Sequence, residues 1–238
     1  MAEQYERGRA DYPPAVVGAL AAELGLGPGA AVLDLAAGTG KLTRALLAAR
    51  LDVVAVEPLQ EMRARLVPYA GAERVREGRA EAIPAAVASF DAVTVADAFH
   101  WFDAAAAVAE IARVLRPRGG LAVITATPDW SGASWAHDVG SLIAELRPSH
   151  PQFEGPSWQS YVDRSGFWEH PREVRVTVAQ AAGPDRVLDY VASMSWIAAL
   201  EQARRAKTLN SVRELVLAGT TPAVLHVRFT IGLTALIA

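Results

Sequence analysis

The chain has 238 residues, 52% hydrophobic and 21% charged, which suits a soluble α/β domain with a well-buried core and excludes a disordered chain. Its 23 basic and 26 acidic side chains leave a net charge of −3, so it offers no general attraction for nucleic acid or anionic lipid. It has no cysteine, which removes disulfides and thiol-based metal or nucleophile sites, and its five histidines, including His137, His150, His170 and His226, show no metal-ligand spacing.

The N-terminal "MAEQYERGRADYPP" is charged and lacks an apolar centre, so it does not read as a secretory signal. No apolar run approaches the roughly 20 residues of a membrane span. A cytoplasmic protein is expected. "PPAVVGALAAELGL" predicts a first helix opened by Pro13 and Pro14 and closed near Gly25. Strand and helix patterns then alternate. "AAVLDL" is a strand and "KLTRALLAAR" a helix. "DVVAVEP" is the second strand, and "LQEMRARLVPYA" a helix ending near Pro68. A short strand lies in "ERVREGRA", and "SFDAVTVADA" is the fourth. "DAAAAVAEIARVLRPRGG" is a helix with Asp103 as N-cap, stopped by Pro117 and the following glycines, and "GLAVITAT" is the fifth strand.

Beyond residue 126 the rhythm changes. Trp130, Trp135, Trp158 and Trp168 crowd a segment broken by prolines and glycines. "REVRVTVAQ" alternates as a sixth strand, residues from about 184 to 218 are helical, and "VLHVRFTIGLTALI" is a long final strand. The alternation predicts a Rossmann-like, seven-stranded, mostly parallel sheet with helices on both faces. We expect a single domain over 1–238. Its core would be about 28–126 and 172–238, and a helical lid would come from insertions after strands five and six, about 127–171 and 184–218.

The stretch "AVLDLAAGTGKLTRAL" joins a strand to a helix through Gly38 and Gly40. A dinucleotide turn wants a third glycine where this chain has Thr43, and a P-loop wants a glycine at Leu35 and a hydroxyl at Leu42. Lys41 alone does not make a phosphate site. Acids recur instead at the predicted carboxyl ends of strands: Asp34, Glu57, Glu81 and Asp97. Glu57 is placed to accept hydrogen bonds from ribose hydroxyls, and Glu81 lies where an adenine edge would fall. An acidic crevice is wrong for pyrophosphate and suits a ligand with ribose hydroxyls, an ammonium group and a positive charge, as S-adenosylmethionine has. An NAD-dependent oxidoreductase is disfavoured on the same grounds.

These segments, with "RVLRPRGGLAVI", resemble the successive motifs of the class I S-adenosylmethionine-dependent methyltransferases (methyltransferase type 11-like). "ADAFHWFD" and "YERGRADYP" are similar to the branch of trans-aconitate methyltransferase-like enzymes. The likeness runs from Tyr5 to about Thr125 and departs from the pattern at Ala36, where the family usually has glycine. It implies that the backbone of Ala36 to Gly38, with Gly40, cradles the methionine portion while Asp34 orients the loop. Glu57 would take the ribose, Pro58 and Leu59 would pack on the adenine, and Ala80 and Glu81 would read its edge. Asp97 and Ala98 would line the methionine end, with Tyr5 and Arg9 closing over the cofactor.

The expected reaction is methyl transfer to a small-molecule acceptor, releasing S-adenosylhomocysteine. His100 is the one candidate base, if the acceptor must lose a proton. Trp101, Trp130, Trp135, Tyr161 and Trp196 are candidates for an apolar, aromatic acceptor pocket. A carboxylate O-methyltransferase and a non-catalytic S-adenosylmethionine-binding protein remain alternatives. The protein is expected to be a monomer or homodimer and to need no metal, nucleic acid or membrane.

Overall fold

A computed structural model describes residues 2–132, 134–147, 156–181, 183–219 and 224–237; His150 lies outside them. Seven strands form one sheet: β1 (Ala31–Leu35), β2 (Asp52–Val56), β3 (Val75–Arg76), β4 (Phe90–Ala96), β5 (Leu115–Pro128), β6 (Arg172–Ala181) and β7 (Val224–Ala235). Their order is β3-β2-β1-β4-β5-β7-β6. The pairs β1·β2, β1·β4, β2·β3 and β4·β5 are parallel. β7 runs against β5: Leu236 N–H donates to Gly119 O at the start of β5, and Asp129 N–H donates to His226 O just past its end. The sheet is therefore mixed, and its parallel part is the one the sequence pattern predicts.

Ten α-helices are described: α1 (Ala2–Gly8), α2 (Pro14–Glu23), α3 (Lys41–Ala48), α4 (Gln60–Ala70), α5 (Ala104–Val114), α6 (Ser134–Glu145), α7 (Trp158–Ser165), α8 (Pro184–Ala192), α9 (Ser195–Ala198) and α10 (Gln202–Ala218). Asp103 does cap α5, accepting from Ala106 N at 3.3 Å. That helix ends at Val114, earlier than its apolar pattern suggests. Pro117 excludes the helical region at Arg116, so the chain is already extended when it reaches the proline. The extra residues bulge out, because Phe90 pairs with Leu115 while Ala92 pairs with Gly120. α4 runs through Pro68 to Ala70, although the proline withholds one helical N–H, and ends at Gly71, whose N–H donates to Val67 O. α1 has no counterpart in the apolar pattern.

The chain divides into two compact units. One comprises Asp11–Ala126, Gly155–Val176 and Phe229–Ala238. Its core unites the inner faces of β1 and β4 with α5: Leu33, Leu35, Val93 and Val95 pack with Val108, Ile111 and Val114. Trp158, Tyr161 and Trp168 of the α7 region join the same core. Burial of such side chains is worth about 1.5–3 kcal/mol each.

The other unit comprises Met1–Ala10, Thr127–Glu154 and Thr177–Arg228. Trp135, Val139, Val187, Val191, Ile197 and Val212 fill its core. α1 lies tightly on α8: a Cβ on Gly8 would stand 2.2 Å from Tyr190 N, so only glycine permits this approach. Arg7 Nε donates to Asp189 Oδ2 at 2.7 Å beside it.

Candidate functional site

The register of the central strands sets the site. Leu35 pairs with Val56 on one side and Val95 on the other. The chain therefore leaves β1, β2 and β4 at one level, and the strand order reverses between β1 and β4, where open α/β sheets bind ligands. Ala36, Glu57 and Asp97 follow those three ends.

After β1 the backbone turns sharply. Ala36 has φ +58°, Gly38 +59° and Gly40 +86°. At Gly40 a Cβ would also meet the end of the Leu66 side chain, but it is the left-handed φ that calls for glycine there. Ala36 holds the left-handed conformation without being glycine. The departure seen in the sequence is thus accommodated with a strained alanine rather than a different turn.

Three carboxylates hold this region. Asp34 is 1% exposed and accepts from Thr43 Oγ1 at 2.5 Å and Thr94 Oγ1 at 3.2 Å. Burial pushes its carboxyl up to about 6; the two threonine hydroxyls act against that rise and the nearby Glu57 charge adds to it. Glu57, 5% exposed, accepts from Gly38 N and from Leu59 N, each at 2.9 Å. It therefore ties the glycine turn to the end of β2, and each oxygen keeps a further lone pair for a hydroxyl donor. Asp97, at φ +50°, accepts from Ala126 N at 3.1 Å and so links the ends of β4 and β5.

The remaining predicted residues fall as follows. Pro58 follows Glu57, its carbonyl held by Arg63 Nη1 at 2.6 Å. Ala80 is buried, and Glu81 accepts from Asp103 N at 2.9 Å. Ala98 packs against the main core. His100 and Trp101 stand together on a short turn after β4, ring centroids 4.9 Å apart, with Trp101 56% exposed. Phe99 on the same turn points inward against Phe102 and Trp158. Tyr161 packs on the core of this unit and carries Arg164 over its ring.

Tyr5, Arg9, Trp130, Trp135 and Trp196 belong to the other unit. The Arg9 guanidinium lies 5.4 Å from the Tyr5 ring and 5.1 Å from that of Tyr190, and its Nε donates to Ser193 Oγ at 3.1 Å. Trp135 is 5% exposed in the unit's core, Trp130 meets Tyr190 at 5.9 Å, and Trp196 packs against the same cluster. The structure thus brings the cofactor candidates from Asp34 to Ala98 into one unit and divides the aromatic candidates between two.

Two partners escaped the motif reading. Thr43 entered it only as a missing glycine, yet its hydroxyl is what holds Asp34. Lys41 is 8% exposed and its Nζ is 2.7 Å from Asp11 Oδ1.

Residues 33–123 match the methyltransferase domain family. An uncharacterised methyltransferase of Mycobacterium tuberculosis is 38% identical over 222 residues, spanning 92% of this chain and 84% of that protein. The chain belongs to the class I S-adenosylmethionine-dependent methyltransferases. A solved structure from Anaeromyxobacter dehalogenans, named as a candidate type II methyltransferase, has the same fold at a TM-score of 0.65. It is 23% identical and covers 95% of this chain and 97% of its own. A Haemonchus contortus phosphoethanolamine N-methyltransferase, solved with S-adenosylhomocysteine and phosphomonomethylethanolamine, superposes at 0.55 with 15% identity, covering 99% of this chain and 56% of its own.

The site of this methyltransferase fits a sulfonium nucleoside. The side chains that bond to the turn and to the ends of β1, β2 and β4, Asp34, Glu57 and Asp97, are carboxylates, and of the cations beside them Arg63 is paired with Glu77 and Lys41 with Asp11. In the turn, Thr39 Oγ1 is buried without a hydrogen-bond partner among the described residues. A buried, unmatched hydroxyl in a cradle of positive-φ residues marks a place where a polar ligand completes the bonding. Among the described residues no helix is long and apolar enough to cross a membrane.

Proposed function

We propose that the protein transfers the methyl group of S-adenosylmethionine to a small, apolar or aromatic acceptor. The observation that carries the cofactor placement is Glu57, buried at the end of β2 and bonded to Gly38 N in the turn. One carboxylate there orders the cradle and presents acceptors to a ribose. Bound S-adenosylmethionine supplies an electrophilic methyl on a positively charged sulfur. The protein's task is alignment and exclusion of water. Asp34 fixes the turn from below through Thr43. Asp97 and Ala98 border the methionine end, and Pro58, Ala80 and Glu81 border the base.

The acceptor side is read from the turn after β4. Trp101 offers an exposed ring beside His100, and an exposed indole favours an apolar or aromatic partner. The alternative, a carboxylate O-methyltransferase of the trans-aconitate type, calls for converging guanidinium groups. Two arginines that could meet a carboxylate are already engaged: Arg172 with the Glu23 carboxylate and carbonyl, and Arg164 over the Tyr161 ring. This supports the less charged acceptor.

Titration calorimetry with S-adenosylhomocysteine and NAD tests the reading, with micromolar binding of the former expected. Binding of NAD alone overturns it. Product formation from a panel of phenols, amines and carboxylates separates the two acceptor classes and the non-catalytic alternative. His100→Ala then asks whether a base is used: loss of turnover with cofactor affinity kept assigns His100 that role, and retained turnover removes it.

A further inference from the structure

The segment between β3 and β4 that carries Ala80 and Glu81 is held in an unusual way. Three successive carbonyls each accept from a guanidinium. Ile83 O is held by Arg113 Nη2 at 2.9 Å, Pro84 O by Arg76 Nη1 at 2.8 Å, and Ala85 O by Arg113 Nη1 at 2.8 Å. Ile83 N–H donates in turn to Glu110 Oε2 at 2.9 Å. Glu110 and Arg113 sit one turn apart on α5 and are paired with each other, Nε to Oε1, at 2.7 Å. The Arg113 hydrogen bond holds the Glu110 carboxyl below its ordinary range. At the other end of the segment, Glu81 Oε1 accepts from Asp103 N at the start of α5. A single helix thus holds both the Glu81 carboxylate and the main chain that follows it.

Anchoring this segment does not need so many polar bonds. Ile83 is 4% exposed, and its side chain already belongs to the main core. What the fork of Arg113 adds is orientation: two bonds from one rigid plane fix the direction of the peptide groups as well as their depth. Direction matters for reading a base. The adenine edge pairs an amino donor with a ring acceptor, and hypoxanthine presents the reverse. A site matched to one pattern rejects the other by leaving its own polar groups unpaired, which requires hydrogen-bond geometry.

We propose that Glu110 and Arg113 are positioning residues for nucleobase recognition, which by fixing the main chain at 83–85 set Ala80 and Glu81 against the adenine edge and so select adenine over a purine of inverted hydrogen-bonding pattern. The proposal rests on the assignment of S-adenosylmethionine above.

The experiment is calorimetry of the wild type, Arg113→Ala, Arg113→Lys and Glu110→Gln with S-adenosylhomocysteine and S-inosylhomocysteine. The wild type should prefer the adenosyl ligand by about 30-fold or more. Arg113→Ala should weaken S-adenosylhomocysteine by about 10-fold and S-inosylhomocysteine by less than about 2-fold, which cuts a preference of about 30-fold to about 3- to 6-fold. Arg113→Lys keeps the charge beside Glu110 but not the fork, and it and Glu110→Gln should fall between. Equal weakening of both ligands, an unchanged ratio, or a wild type without preference overturns the proposal. Should Arg113→Ala not fold, the ratio in the two conservative variants decides. Glu57→Ala serves as control, because ribose is common to both ligands and both should weaken alike. If Glu57→Ala behaves so and the ratio stays fixed in the α5 variants, the positioning proposal alone fails. If the wild type binds neither ligand, the cofactor assignment fails with it.

Discussion

The two compact units use their side chains in opposite ways. In the unit around β1, β2 and β4, carboxylates bond to hydroxyls or backbone N–H groups at strand ends: the buried Asp34 to Thr43 and Glu57 to Gly38, and the half-buried Asp97 to Ala126. In the unit that contains α8 and α10, the interior is apolar and aromatic, with Trp135, Val191 and Ile197 at its centre. Its ion pair between Arg7 and Asp189 lies nearer the surface, with the arginine side chain 53% exposed. A polar network demands particular residues at particular positions, since each unmatched group carries a penalty. An apolar core demands volume and pattern and accepts many sequences. The first unit is therefore specified atom by atom, and the second by bulk.

Four substitutions break or sharpen that contrast. The largest effect belongs to bulk: Trp135→Ala should lower stability by about 3–5 kcal/mol, read from denaturant unfolding. A loss under about 1 kcal/mol would show that the indole is not part of the core. Next comes Asp34. Folded, its carboxyl keeps a proton up to pH about 6, whereas the unfolded chain releases it near pH 4. The folded state binds more protons in between, so stability declines as pH rises across that window, by about 3 kcal/mol, and levels off above it. Asp34→Asn should remove this slope. A wild-type minus variant difference that is flat from pH 4 to 6.5 would contradict the burial of an ionisable group there.

Glu57→Ala should cost S-adenosylhomocysteine affinity about 1–3 kcal/mol in calorimetry, through lost ribose bonds and a loosened Gly38. Unchanged affinity would remove Glu57 from the site. The smallest effect is at Ala36. Glycine relieves the left-handed strain, worth about 1–2 kcal/mol, and gives back part of it as unfolded-chain entropy. Ala36→Gly should therefore stabilise by about 0.5 kcal/mol in thermal unfolding. A clear destabilisation would mean that the methyl group makes contacts which outweigh the strain.

The contrast also explains what the sequence disclosed. Strands β1, β2 and β4 and the acids after them are legible because parallel pairing and the hydrogen bonds at the strand ends both require them at fixed places. The family resemblance rests on the same segments. Thr43 was visible only as an absent glycine, because its role depends on α3 bringing its hydroxyl back over Asp34. Arg113 lies in the quoted "RVLRPRGG" segment, but its use is invisible until the segment after β3 is folded against α5. Several of the aromatic residues stand close together in the sequence and suggest one acceptor pocket. The structure puts Trp158 and Tyr161 in one core and Trp135 in another, a division decided by long-range packing that local pattern does not carry. α1 was missed because its seven residues have little apolar periodicity and rest on a close approach at Gly8.

Lys41 shows how a ligand can be refused. An ammonium at the first turn of a helix that follows a glycine loop is half of what a triphosphate wants, and helix dipole and charge would act together there. Asp11 cancels it, with its Oδ1 2.7 Å from the ammonium. Discrimination is a difference between two affinities, and a carboxylate that neutralises a cation near a glycine turn lowers what an anion gains there. That charge is set by a residue thirty positions upstream in the chain, so it can change without altering any atom of the turn itself.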